Sequence, residues 1–121
     1  MTRIVADTTS GLAPELARRL RIPLIPQIIS FDEESFREGL DIDHATFMAR
    51  LRSGRGLPKT AAPFPGDFIA AFEELVASGE SILCILPSAN VSGTVRSAAT
   101  ARESFPGAAI RIVDTRTIAG P

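Results

Sequence analysis

The chain has no tryptophan, no tyrosine, one cysteine and one histidine, and each scarcity closes off a kind of chemistry. A lone Cys84 has no intrachain disulfide partner, and within the apolar run from Ser81 to Pro87 it reads as a small core residue kept reduced. A lone His44, just after a helix cap on an expected exposed face, makes no metal site. It also supplies no obvious base for a nucleophilic serine. Of 13 basic residues only Lys59 is lysine; the arginines are scattered and the formal net charge is -1. The basic stripe that neutralises phosphates is therefore missing, and nucleic acid is not expected as a partner. No apolar run approaches the roughly eighteen residues of a membrane span. The N-terminus reaches Asp7 after a short apolar run, which argues against a secretory signal and for a cytoplasmic location. Neither a Gly-rich loop ending in Gly-Lys-Ser/Thr nor a Gly-x-Ser-x-Gly elbow occurs. Catalysis by this chain alone is not expected, nor is a cofactor or a metal.

What is present suits one core. With 121 residues, 45% of them hydrophobic, and a mean hydropathy of +0.17, the chain has apolar material for a single domain. Arg3 to Asp7 reads as a buried strand, followed by a polar turn to Gly11 and a helix opened by Pro14. Ile22 to Phe31 is apolar but holds Pro23 and Pro26, so an irregular or edge strand is expected. Asp32 to Glu34 turns into an extended Ser35-Phe36-Arg37. Asp43 is a good N-cap for a helix through Arg52, with Phe47 and Leu51 on one face and Gly54 as its stop. A second helix spans Pro65 to Ala77, with Phe68, Phe72 and Leu75 on one face. Ile82 to Leu86 is the most strand-like run. A helix from about Thr94 to Ser104 brings small residues Ser97, Ala98 and Ala101 where a sheet would press close, and Ala109 to Asp114 is the last strand. Alternating strands and helices, with strands that are nearly pure apolar runs, predict an α/β fold: a mainly parallel sheet covered on both faces by helices.

Ligands of such sheets sit beyond the carboxyl ends of the strands. Two polar turns fall there, Asp7-Thr8-Thr9-Ser10 and Ser88 to Thr94. The Ser92-Gly93-Thr94 turn between strand and helix offers hydroxyls and free N–H groups to an anion, although a serine that merely caps the helix would look the same. Pro58 to Phe68 reads as a stiff loop bearing Lys59 and Thr60. Asp7, Thr60 and Ser92 are expected to converge at one rim of the sheet and to make a small oxyanion site of neutral donors, for carboxylate or phosphate.

The stretches IVADTTSGL (4–12), IPLIPQIISF (22–31), FREGLDI (36–42), PKTAAPFPGDF (58–68), SANVSGTVRSA (88–98) and IRIVDTRTIAGP (110–121) together resemble the N-terminal part of the DegV family. These are fatty-acid-binding proteins that include the binding subunit of bacterial fatty acid kinase. The resemblance implies a two-domain protein with a fatty acid in a tunnel between the domains. It implies that the carboxylate is held by the hydroxyls of Thr60 and Ser92; the N–H groups of Gly93 and Thr94 are expected to join them, and Asp7 and Ser10 to shape the adjoining turn. The implied partners are a long-chain fatty acid and a separate ATP-dependent kinase subunit, which makes the acyl phosphate; the chain itself is the non-catalytic binding subunit. Two departures are visible. Where the family often has Ser-Gln-Pro-Ser after the loop threonine, Ala61-Ala62-Pro63-Phe64 stand here. The sequence also stops at Gly120-Pro121, where family members continue into a second domain, so residues 1–121 are expected to be an N-terminal lipid-binding domain without it. An apolar face bearing Ile28, Ile29 and Phe31 would then lie bare and could join two copies as a homodimer. Two rivals remain at this point. One is an enzyme on a small phosphorylated or carbonyl substrate, since the DegV fold resembles dihydroxyacetone kinase and the mannose transporter subunit. The other is a fragment that binds nothing or only dimerises.

Overall fold

A computed structural model describes residues 1–54 and 57–118. Its elements run β1 (Thr2–Asp7), a short 3-10 turn (Thr8–Ser10), α1 (Pro14–Arg19), β2 (Leu24–Ile25), β3 (Ile28–Phe31), β4 (Glu34–Arg37), α2 (His44–Arg52), β5 (Lys59–Ala61), α3 (Pro65–Ala77), β6 (Ser81–Leu86), α4 (Thr94–Arg102) and β7 (Ile110–Asp114). The expected helices are all there, and each boundary has a local cause. Proline opens α1 and α3, where its missing N–H costs nothing. Asp43 caps α2 by accepting the Thr46 N–H at 2.7 Å. The last three residues of the sequence stretch 110–121 lie outside the described residues.

Four strands form a parallel sheet in the order β2-β1-β6-β7. Val5 pairs with Cys84, and Cys84 with Ile112. Because β1 leads to β2 on one side and lies against β6 on the other, the order reverses between β1 and β6. Their carboxyl ends, Asp7 and Leu86, flank that crevice. On the α3 and α4 side, Ile82, Cys84 and Leu86 point into a core with Phe68 and Phe72, both fully buried, and with Ala98 and Ala101. Phe72 also meets Phe105 edge-on at 6.3 Å. Burying such side chains contributes about 1.5–3 kcal/mol each. The other face differs from expectation: Leu83 and Ile85 are only half-buried and Ile4 is 37% exposed. Their strands are apolar throughout, yet the described helices cover one face much more fully than the other.

A second sheet, antiparallel and ordered β4-β3-β5, adds to the expected architecture. Pro26 and Gln27 break the run 22–31 into β2, which joins the parallel sheet, and β3, which joins this one. Proline has no ladder N–H to give, so the chain changes sheets there. Two further expectations are corrected. The Pro58–Phe68 stretch is not all loop, since Lys59–Ala61 pair with β3, and Thr60 lies opposite Ile29. Nor are Ile28, Ile29 and Phe31 bare. Each is 4% exposed; Ile29 and Phe31 form a second core with Ile42, against which Phe36, Phe47 and Leu51 pack. The face expected to bind another copy is thus already filled from within the chain. Arg37 Nε and Asp67 Oδ2, 3.2 Å apart, tie this sheet to the first turn of α3.

Candidate functional site

The site is built where the two sheets meet. Asp7, at the carboxyl end of β1, is 1% exposed. Its carboxylate accepts the Thr9 N–H at 3.3 Å and the Thr9 hydroxyl at 2.8 Å, which closes the 3-10 turn. It also accepts Gln27 Nε2 at 2.6 Å. The same nitrogen donates to Thr94 Oγ1 at 3.0 Å, and Thr94 Oγ1 lies 2.6 Å from Ser92 Oγ. Asp7, Gln27, Thr94 and Ser92 therefore form one continuous chain of hydrogen bonds across the β1–β6 crevice. Gln27 is fixed from its backbone too, as its N–H donates to Thr8 Oγ1 at 3.0 Å and its carbonyl accepts the Glu38 N–H at 2.9 Å.

The residues singled out from sequence fare differently. Asp7, Ser92 and Thr94 are brought together. Thr94 is fully buried, with its hydroxyl held by Gln27 and Ser92 and its N–H donated to Ser92 Oγ at 3.2 Å. It braces the turn rather than facing outward, against the expectation of a free N–H there. Ser92 is half-buried and Gly93 exposed, so both open outward. Ser10 stays local, its hydroxyl accepting the Leu12 N–H at 3.2 Å. Thr60 is exposed on β5, outside the hydrogen-bonded chain. Its segment still adjoins the turn, because a Cβ on Gly93 would come 3.4 Å from the Cβ of Ala62. Sequence reasoning misses Gln27. The available signal is a long polar side chain within the otherwise apolar stretch 22–29.

Exposed apolar side chains and a cleft adjoin the segments that carry this seam. Val91 is 64% exposed beside Ser92, and Phe64 is 52% exposed two residues beyond Ala62. A cleft of about 400 Å³ opens at Thr8 and is lined by Leu12, Leu24, Ile29, Ile42 and Phe47; His44 reaches its edge and is exposed. Cys84, in the neighbouring strand, has its thiol pushed up to about 12 by burial and, secondarily, by the Asp7 charge. It stays protonated and takes no part in acid–base work near neutral pH. No described helix is long and apolar enough to cross a membrane.

Comparison with known proteins gives the seam a context. A family profile described as "Uncharacterised protein, DegV family" matches residues 1–121. A DegV domain-containing protein of Clostridium acetobutylicum is 35% identical over 119 residues, which is 95% of this chain and 41% of that protein. Protein DegV of Bacillus subtilis is 34% identical over 98 residues, covering 81% of this chain and 35% of its own length. This chain thus spans well under half the length of these relatives. Among solved structures, a DegV family protein from Thermus thermophilus, described by its fatty acid binding, superposes with a TM-score of 0.84 at 30% identity, over 98% of this chain and 42% of that one. A stearic acid-binding protein from Eubacterium ventriosum gives 0.88 at 27% identity, over 98% and 43%.

Proposed function

The chain belongs to the DegV family, and from that premise we propose that residues 1–121 are a lipid-binding domain that receives a fatty-acid carboxylate at the Ser92 turn. The Ser92 hydroxyl and the Gly93 N–H face the carboxylate. Thr60 closes over it from β5, and Thr94, Asp7 and Ser10 hold the turns in shape. The observation that carries this reading is the contact of the Gly93 turn with Ala62, two residues beyond Thr60. It gives two hydroxyl-bearing segments, distant in sequence, a common boundary at the strand ends.

Neutral donors suit the purpose. They stabilise a carboxylate without an ion pair, so its oxygen keeps the electron density needed to attack a phosphoryl group. Exposed Val91 and Phe64, with the apolar cleft from Leu12 to Phe47, suit the hydrocarbon that follows such a headgroup. The relatives described by fatty acid binding support the same class of ligand. In this reading the acyl chain is covered jointly with a second domain of the full-length protein, and a separate ATP-dependent kinase subunit phosphorylates the presented carboxylate. This chain performs no chemistry itself.

Native mass spectrometry of the full-length protein purified from bacterial cells tests the reading. Expected is a bound mass matching one or a few long-chain fatty acids, lost on Ser92→Ala with Thr60→Val. A protein that stays free of lipid after incubation with palmitate would overturn it.

A further inference from the structure

The hydrogen bonds between Asp7 and Ser92 have a direction. Asp7 carboxylate only accepts, so the Gln27 amide must turn its NH2 toward it, and the same nitrogen spends its other hydrogen on Thr94 Oγ1. Thr94 is fully buried, and besides that donor-only nitrogen its hydroxyl has one hydrogen-bond partner among the described residues, Ser92 Oγ at 2.6 Å. The Thr94 proton must therefore go to Ser92. Ser92 Oγ already accepts the Thr94 N–H at 3.2 Å. Both its lone pairs are then engaged, and its own proton is left to point out of the half-buried turn. We infer that Asp7 and Gln27 set the polarity of this relay, and that Gln27 is a positioning residue that forces Ser92 to act as a donor to an anion.

This rests on the carboxylate-site reading and goes beyond it. A hydroxyl free to rotate could greet either an ionised acid or a protonated one. Ser92, with its lone pairs taken, can only donate, so the site favours the ionised carboxylate, the strongest acceptor, over the weaker acceptor oxygens of the acid, the alcohol or the amide of the same chain. Hydrogen bonds in series also polarise one another, which strengthens the last donor.

The relay can be reversed without changing its size or net charge. In the double variant Asp7→Asn/Gln27→Glu, the amide introduced at position 7 donates to the carboxylate introduced at position 27. That carboxylate accepts the Thr94 proton, and Thr94 accepts the proton of Ser92, which turns inward. Palmitate affinity of the full-length protein is measured with and without Ser92→Ala in both backgrounds. With the native relay Ser92→Ala costs about tenfold to hundredfold in Kd; with the reversed relay it costs about threefold or less. Palmitate labelled with 13C at the carboxyl adds a second readout. Bound to the native protein its carboxyl resonance titrates at lower pH than in the reversed variant. Should the reversed protein not fold, Thr94→Ser and Thr94→Val replace it: the first keeps the Ser92→Ala penalty and the second lessens it, because Ser92 can then turn its proton either way. An equal penalty in all backgrounds overturns the relay while leaving the carboxylate site standing. No penalty for Ser92→Ala in the native protein overturns the site itself, and the relay with it.

Discussion

Gly93 and Ala62 stand so close that a Cβ on the glycine would come within 3.4 Å of the alanine's own. The turn that opens α4 and the segment after Thr60 thus lie side by side, with room for about one methyl between them. Gly93 has φ -81° and ψ 7°, which any residue can adopt, and an alanine Cβ would meet Ala62 at ordinary contact distance, so only a larger side chain is excluded here. Gly93→Ala should leave stability and palmitate binding almost unchanged. Gly93→Val adds branches that push β5 and its Thr60 away, and should weaken binding of the full-length protein at least tenfold, while thermal unfolding shifts only a few degrees. Wild-type affinity in the valine variant would show that the two segments need not meet.

Ser92 separates binding from capping. Its hydroxyl accepts from both Thr94 groups, yet it is half-buried, so water can enter and take those bonds when Ser92→Ala removes the oxygen. Stability should fall by about 1 kcal/mol or less. Loss of a hydrogen bond to a charged carboxylate costs roughly 1.5–3 kcal/mol, which isothermal titration with palmitate on the full-length protein would read directly. An affinity equal to wild type would leave Ser92 as a helix cap and nothing more.

The sequence disclosed local structure better than its assembly. Proline at the first turns of α1 and α3, Asp43 before α2 and the apolar run of β6 each act within a few residues, and those elements form as read. The split of 22–31 between two sheets was hidden, because Pro26 shows that the ladder must break but not which strand each half then joins. Ile29 and Phe31 looked spare for the same reason: their cover comes from Ile42, Phe47 and Leu51, which come near only once β3 and β4 have paired. At the site, Asp7 and Ser92 were legible from their place after strands. Gln27 was not, since its two side-chain hydrogen bonds reach residues 20 and 67 positions away.

Asp43 makes the stability of α2 depend on pH. The Thr46 backbone N–H, with help from the Thr46 side chain, holds the Asp43 carboxyl below its ordinary range. A depressed carboxyl stabilises the fold above its usual value of 3.8, and that contribution disappears as pH falls through the folded-state value. Asp43→Ala should therefore melt lower than wild type at pH 7, and the two melting curves should converge as pH falls through the depressed folded-state value. A gap that persists in acid would mean that the carboxylate cap is not the cause.

Cys84 should be a silent thiol until the fold opens. It lies in the middle of β6 with no exposed surface, and burial first, then the Asp7 charge, raises it to about 12 from 9.0. Thiolate is the reactive form, so at pH 8 a disulfide reagent should leave native protein unlabelled and react at once in denaturant. A thiol raised in the folded state leaves stability intact below its unfolded value. Stability then falls with increasing pH above about 9, as the unfolded chain alone gives up its proton, and the loss levels off near 12. Asp7→Asn should narrow that window slightly, because only the smaller of the two causes is removed. Cys84→Ser would bury a hydroxyl in the apolar core, whereas Cys84→Ala leaves a small cavity; the alanine protein should be the more stable and should lose its alkaline slope. Rapid labelling of the native protein at pH 8 would mean that β6 opens locally beside Asp7, and the relay anchored there could not be rigid.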